Sequence, residues 1–180
     1  ADSMALNPFT HTWSLGVDVG AAVFQIADPI LQELVKREQA SSEFICCSSR
    51  SPIRVGLWSA DGYREVPNRI ESARPLHHYI VGQTLLAWSS EWEQEQYMKH
   101  ADWAALPNIP GNAAELKARF EAIRHRGYGV TSECSSNNYL IGVACPVLTE
   151  DGRCLGALNF HRGRAEDEKV DAASFLQSLR

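Results

Sequence analysis

The segment from Ile141 to His161, IGVACPVLTEDGRCLGALNFH, constrains the fold more than any other part of the chain. Two mostly apolar runs flank the pair Asp151-Gly152, which is a strong local signal for a β-hairpin. The second run ends in Asn159 and His161, although a buried strand favours apolar, β-branched residues. The hairpin is therefore predicted to carry an amide and an imidazole on one side of a largely apolar sheet.

The turn also predicts which residues of the two strands face each other. A two-residue turn at Asp151-Gly152 pairs Glu150 with Arg153, and the pairing continues outward from there. This counting places Ala144 opposite Asn159, and Gly142 opposite His161.

Alternation of side chains along the strands divides the hairpin into two faces. One face has small residues next to Asn159 and His161, which would form a shallow recess with a polar floor, as ligand sites often do. The alternative is a sheet whose polar face is simply solvated, although Leu148 and Leu155 indicate that this face is covered. The small residues are Gly142, Ala144 and Ala157, and the opposite, core face carries Ile141, Val143, Cys145, Val147, Leu158 and Phe160.

A helical pattern precedes the first predicted strand and runs over residues 15–39. Pro29 interrupts this pattern, so we predict two helical pieces or a kink at that point. The predicted apolar stripe consists of Leu15, Val19, Val23, Ile26, Ile30 and Leu34.

Three short strands are predicted next, at residues 43–50, 53–59 and 63–70. The turn 60–62 joins the second strand to the third. Pro67 cannot donate a backbone hydrogen bond, so it places the third strand at a sheet edge or ends it early.

Further helices follow these strands. One starts near Tyr79, and Ser90 with Glu93 forms a capping-box pattern for the next. Asn112 to Arg126 is the clearest helix, followed by Gly127 at the left-handed C-cap position. A last helix, which begins with acidic residues, is predicted after the hairpin.

The order of the predicted elements indicates the fold class. Hairpins without regular βαβ alternation indicate an α+β domain, a largely antiparallel sheet with helices on its faces.

Composition narrows the class of protein. The 180 residues carry a net charge of −5, whereas a nucleic-acid-binding segment normally has a basic face. No apolar run is long enough to cross a bilayer and the N-terminus has no secretory signal, so we expect a cytoplasmic protein.

The five cysteines have no zinc-like spacing, and we expect free thiols without a metal. Residues 1–12 are expected to be a linker or a cloning remnant before one domain at 13–180.

Several motifs, in matching order, resemble the effector-binding domain of IclR-type transcriptional regulators. They are WSLGVDVG (13–20), PLHHYIVGQTLLAW (75–88), IRHRGYGVTSE (123–133) and VACPVLTEDGRCLGALNF (143–160). The resemblance spans about Trp13 to Phe160 and implies a GAF-like fold, an antiparallel sheet with helices on both faces.

The resemblance also implies a function. In this family a small metabolite binds one domain and alters operator binding by a winged helix-turn-helix domain, which is absent from this chain. We therefore expect residues 13–180 to bind a small organic acid and to contact DNA only through the missing N-terminal domain. We also expect a homodimer or homotetramer, with no cofactor, no metal and no enzyme activity.

The family's effector pocket carries over to eight positions of this chain. Relatives usually have small residues where this chain has Ile80, and Gln83 replaces the family's lysine, which implies a smaller and chemically altered pocket. The expected effector-binding residues are Tyr79, Ile80, Val81, Gly82, Thr131, Gly142, Asn159 and His161.

Two other functions stay open on the sequence. Some GAF-type domains are redox enzymes that reduce oxidised methionine through cysteines, which requires an activated thiolate and a resolving thiol. The hairpin count leaves Cys145 facing the core and Cys154 facing Thr149, so no such pair is predicted. The bulk of Ile80 also allows an oligomerisation domain without a ligand.

Overall fold

The computed structural model describes residues 25–48, 51–59, 62–69, 75–103, 108–135, 138–164 and 177. Six of its segments are strands: β1 (Ser41–Ser48), β2 (Ser51–Ser59), β3 (Gly62–Arg69), β4 (Gly129–Ser135), β5 (Asn138–Leu148) and β6 (Cys154–Arg164). They form one antiparallel sheet in the order β3-β2-β1-β6-β5-β4. The three predicted strands before the helices are therefore confirmed, with ends shifted by one or two residues.

Helices cover both faces of this sheet, as predicted. They are α1 (25–38), α2 (Ile80–Ala87), α3 (Glu91–His100) and α4 (Ala113–Arg126), and a short 3₁₀ turn (Leu76–His78) leads into α2. Within the ranges given above, none of the helices has both the length and the apolar character needed to span a bilayer. The predicted terminal helix lies outside the described residues except for position 177.

Two apolar clusters form the core, one on each face of the sheet. The α1 cluster contains the large side chains Phe44, Trp58 and Phe160, all almost fully buried. The α2 cluster lies on the other face, where α2 and α4 pack together over the sheet. The sheet side of this second cluster is supplied by Ile45, Ala144 and Ala157.

The closing hairpin has the predicted register. Gly142 lies opposite His161, and Ala144 lies opposite Asn159. The residues that the alternation assigned to the core, among them Val143, all belong to the α1 cluster. The face with the amide and the imidazole is therefore the one that α2 covers.

The turn itself differs from the prediction. The Thr149 N–H donates to the Arg153 carbonyl at 2.9 Å, so the loop is one residue longer than predicted and Arg153 does not pair with Glu150. Gly152 adopts a left-handed φ of 81°, which favours glycine. A bulge at Leu155 restores the register, because it adds one residue to β6.

The first helix buries a different stripe from the predicted one. Ile26 and Ile30 are 74% and 64% exposed, whereas Leu31 and Val35 are buried one turn apart against the sheet. Leu34 is half-buried at the edge of this contact. The other three predicted positions lie outside the described residues.

The two prolines behave differently. Pro67 lies in β3, which is an edge strand, as predicted. Pro29 lies within α1, which is continuous over residues 25–38, so the predicted division into two pieces is wrong for this part of the chain. A single proline removes only one backbone hydrogen bond, and packing of the helix against the sheet outweighs that loss.

The predicted helix caps are confirmed. The Ser90 side chain accepts from the Glu93 N–H, and the Glu93 carboxylate accepts from the Ser90 N–H at 2.9 Å. The Asn112 side chain accepts from the Glu115 N–H at 2.9 Å, and Gly127 ends α4 with a left-handed φ of 84°.

Candidate functional site

Glycines let α2 lie close to the sheet and to the turn before it. A Cβ atom on Gly82 would lie 2.2 Å from the Leu76 carbonyl oxygen, so no larger residue fits there. A Cβ on Gly129 would lie 2.7 Å from Ile80 Cδ1, and one on Gly142 would lie 3.6 Å from Ile80 Cγ2. Ile80 therefore fills the space above these two sheet positions.

Asn159 and His161 occupy the same face of β6, two residues apart, and both are half-buried. Asn159 Oδ1 and His161 Nδ1 are buried atoms that have no hydrogen-bond partner among the described residues. Buried polar atoms in native proteins are normally paired, so each of these atoms requires an explanation. A bound polar group would provide one.

The remaining predicted residues belong to the start of α2, to β4 and to β5. Tyr79 is the N-cap of α2, and Val81 is buried in the first turn of the helix. Thr131 is half-buried on β4 opposite Gly142, and its Cγ2 lies 3.2 Å from where a Gly142 Cβ would be. The structure thus brings Ile80, Thr131 and Gly142 into one packed group beside the strand that carries the amide and the imidazole.

An ion pair between a buried carboxylate and a half-buried arginine lies next to Asn159 and was missed by the sequence reasoning. Glu43 on β1 lies opposite Asn159 and is only 7% exposed. Its Oε2 accepts from Arg54 Nε at 2.5 Å, and its Oε1 accepts from Asn159 Nδ2 at 3.0 Å. The one signal for it is a carboxylate in the apolar run EFICC, at a position that shares a face with Ile45.

The same groups set the protonation of His161. Burial lowers the pKa of His161, the nearby Glu43 carboxylate raises it, and the Arg54 guanidinium lowers it. Since the net direction is downward from 6.5, the ring is neutral at pH 7. A neutral imidazole has one donor and one acceptor nitrogen, so it can hydrogen-bond either a hydroxyl or a carboxylate.

A second histidine is buried before α2. His77 is fully buried, and its Nδ1 lies 2.7 Å from the Tyr97 hydroxyl, which also accepts from the His77 backbone N–H. Burial and the neighbouring His78 lower the pKa of His77 to about 4, against a smaller opposite effect of Asp102. His77 is thus a neutral structural residue that ties the turn before α2 to α3.

The model of one protein family matches almost the whole chain. This family is described as the C-terminal part of the bacterial transcriptional regulator IclR, and its model matches residues 18–180. The chain belongs to the IclR family. The predicted family and the predicted GAF-like α+β class are therefore confirmed, and members of this family are transcriptional regulators, not enzymes.

Individual IclR relatives are distant in sequence. The regulator XynR of Escherichia coli is 23% identical over 156 residues, which cover 83% of this chain and 59% of XynR. The chain therefore spans well under two thirds of that relative's length.

Solved structures share the fold. A double mutant of the inducer-binding domain of PobR from Acinetobacter, in complex with 3-hydroxybenzoic acid, is 18% identical with a TM-score of 0.64, covering 86% of this chain and 91% of that domain. An IclR homologue from Microbacterium hydrocarbonoxydans with 4-hydroxybenzoate is 16% identical with a TM-score of 0.67, covering 89% and 66%.

A separate groove of about 660 Å³ lies at the other end of α2 in this IclR-type domain. Its polar groups already have partners within the protein: Ser90 and Glu93 form the capping box, and Arg153 pairs with Asp151 at 2.9 Å. The groove therefore offers fewer unsatisfied groups than the site at Asn159. Its apolar lining includes Leu85, Leu86, Trp88, Trp92 and Leu155.

The described cysteines do not fit the redox alternative. Burial raises the pKa of Cys46, Cys145 and Cys154, which opposes thiolate formation. Cys145 belongs to the α1 cluster and Cys154 to the α2 cluster, so they lie on opposite faces. The expectation that Cys154 faces Thr149 is wrong, because the longer turn places it opposite Leu148. Among the described residues, no group of three or more acidic, histidine or cysteine side chains could hold a metal ion.

Proposed function

We propose that this IclR-type domain senses a small organic acid that binds between the start of α2 and the sheet. The observation that carries the proposal is the pair of buried, unpartnered atoms Asn159 Oδ1 and His161 Nδ1 beneath a helix that packs on the sheet. The residues proposed to contact the acid are Tyr79, Ile80, Val81, Gly82, Thr131, Gly142, Asn159 and His161.

The start of α2 supports an acidic ligand. A helix N-terminus leaves its first backbone N–H groups without intrahelical partners and carries a partial positive charge, which favours anions. The N-cap residue Tyr79 provides no side-chain hydrogen bond to these groups. The hydroxybenzoate complexes of two relatives of the same fold support this class of ligand.

A route from this site to α1 supports a sensing role. Ser41, the first residue of β1, lies opposite His161, and only two residues separate it from the end of α1. The next residue of β6, Arg162, donates to the Glu38 carbonyl at the end of α1 at 2.8 Å. A ligand that moves the His161 end of β6 would therefore move α1, provided that it binds the two arrangements with different affinity.

The remaining parts of the proposal concern the whole protein. We place it in the cytoplasm as a homodimer or homotetramer, with residues 13–180 as the sensing domain. DNA would be bound by a winged helix-turn-helix domain preceding this chain.

Thermal unfolding with a panel of aliphatic and aromatic organic acids tests the site. A ligand at 100 times its Kd should stabilise the native state by about 2.7 kcal/mol and raise the Tm. His161→Ala and Asn159→Ala should abolish the shift, whereas the exposed His125→Ala should retain it. Equal binding by all three variants would show that the pocket is assigned to the wrong residues.

The second candidate is an oligomerisation domain that binds no ligand. It is favoured by Ile80, which fills the space over Gly129 and Gly142. Ile80→Ala should separate the two functions, because a small residue there would open space over Gly129 and Gly142. If neither the wild-type chain nor Ile80→Ala is stabilised by any acid, the second candidate replaces the first.

A further inference from the structure

We infer that the Glu43–Arg54 ion pair fixes the amide of Asn159 so that the site accepts only a ligand with a hydrogen-bond donor at this position. The ligand class is thereby narrowed to organic acids that carry a hydroxyl or amino group away from the carboxylate. The inference rests on the proposed function and adds two specificity-determining residues, neither of which contacts the ligand.

The orientation of the amide follows from what each partner can donate or accept. Arg54 has only donors, and its Nε donates to Oε2 of Glu43. The other oxygen, Oε1, lies 3.0 Å from Asn159 Nδ2, and a carboxylate can only accept. The NH₂ group of Asn159 must therefore face Glu43.

The opposite end of the amide is fixed by the same geometry. Because the NH₂ group faces Glu43, Asn159 Oδ1 points away from the ion pair, and it is buried without a partner among the described residues. An oxygen in this position accepts but cannot donate. A ligand carboxylate or keto oxygen placed there would leave two acceptors in contact, whereas a hydroxyl would satisfy the amide.

Charge favours the same orientation of the ligand. The Glu43–Arg54 pair is formally neutral, so this end of the site offers a ligand carboxylate no net positive charge. The N-terminus of α2 offers a partial positive charge at the other end. The carboxylate of the ligand therefore belongs at α2, and its neutral donor belongs at Asn159.

Matched ligands test this donor rule by isothermal titration calorimetry on the 180-residue chain. The donor series is benzoate with a hydroxyl or amino group at position 3 or 4, and the donor-free series has fluoro or formyl at the same positions. 4-Hydroxybutyrate and 4-oxobutanoate are a matched aliphatic pair. An unsatisfied buried acceptor should weaken binding about tenfold to a hundredfold, so donor ligands should bind more tightly by that factor.

The substitution Glu43→Gln gives the sharpest test, because it should reverse the preference. Arg54 still requires an acceptor, so the Gln oxygen would face Arg54 and its NH₂ group would face Asn159. Asn159 would then turn its oxygen toward position 43 and its NH₂ group toward the ligand. The formyl benzoates and 4-oxobutanoate should gain affinity relative to their donor partners, and the exposed Glu95→Gln should leave the preference unchanged.

The possible failures are distinguishable. If donor and donor-free acids bind the wild-type chain equally, or if Glu43→Gln keeps the wild-type preference, this inference is overturned and the proposed function stands. If no acid of any series binds, the proposed function fails and the ligand class named here fails with it. In the ligand-free chain, the Asn159 NH₂ resonances should exchange with water more slowly than in Glu43→Gln, and equal exchange also contradicts the fixed amide.

Discussion

The two faces of the closing hairpin are built in opposite ways, although their residues alternate along the same strands. On the α1 face, Phe160 and Val143 fill the space with large apolar groups. On the α2 face, Gly142 and Ala144 have no large side chain, and Asn159 adds polar atoms to the surface of the sheet. The first face determines the fold by packing of large side chains, while the second is covered by Ile80 of α2 and keeps two polar atoms, Asn159 Oδ1 and His161 Nδ1, without partners among the described residues.

The largest expected effect is on the α1 face. Phe160→Ala should lower the free energy of unfolding by about 3–5 kcal/mol, because it removes a buried aromatic ring and leaves a cavity. Urea unfolding of the variant and of the exposed control Ile30→Ala measures this, and the control should change by no more than about 0.5 kcal/mol. A loss below 1 kcal/mol in Phe160→Ala would contradict the division between a packed face and a functional face.

The α2 side should show a pH dependence that comes from His77. In the unfolded chain this histidine takes up a proton near pH 6.5, whereas in the folded chain its pKa is about 4. The folded state therefore loses stability as the pH falls from about 6.5 to about 4, by about 3 kcal/mol in total. His77→Phe should remove this loss.

The measurement is the free energy of unfolding in urea at pH 7 and at pH 4.5 for the wild-type chain and for His77→Phe. The free energy of unfolding of His77→Phe should rise relative to that of the wild-type chain when the pH is lowered from 7 to 4.5. The exposed His125→Ala should keep the wild-type dependence. If the stability of His77→Phe falls with pH as much as that of the wild-type chain, then His77 is protonated in the folded chain or other groups cause the pH dependence.

The ion pair beneath the site should have a smaller effect. Arg54→Met removes one of the two donors to the buried Glu43 carboxylate and should cost about 1–3 kcal/mol. The double variant Glu43→Leu/Arg54→Met should cost less than the sum of the single changes, because no buried charge is left unpaired. Strict additivity in urea unfolding would show that the two side chains do not stabilise each other in the folded chain.

Local signals made much of the fold predictable. The caps at Ser90, Asn112 and Gly127 depend on residues within one turn, and the register of Gly142 with His161 depends on strand alternation. The predicted two-residue turn gives this register, but the structure reaches it in a different way. The real turn is one residue longer, and the bulge at Leu155 compensates for it, which no local signal indicates.

Tertiary packing decided the features that the sequence did not reveal. In α1, both Ile26 with Ile30 and Leu31 with Val35 have helical spacing, and only the contact with the sheet selects the second pair. In the site, Glu43 meets its partners across two strand pairings. The site residues inferred from the family stay a prediction, because their contact with a ligand is a matter for experiment.

The smallest expected effect is a change in the titration of His161, which reports directly on the α2 face. Its pKa in the wild-type chain should lie below 6.5, because burial outweighs the attraction of Glu43. Glu43→Gln removes the group that raises this pKa and should lower it further, while Arg54→Met removes a positive charge and should raise it. Both shifts can be followed by NMR of the imidazole carbon-bound protons, with the exposed His100 as an internal control. Opposite shifts in the two variants would establish that the ion pair controls the electrostatics of the proposed site. An unchanged pKa of His161 in both variants would show that the ion pair does not affect this site.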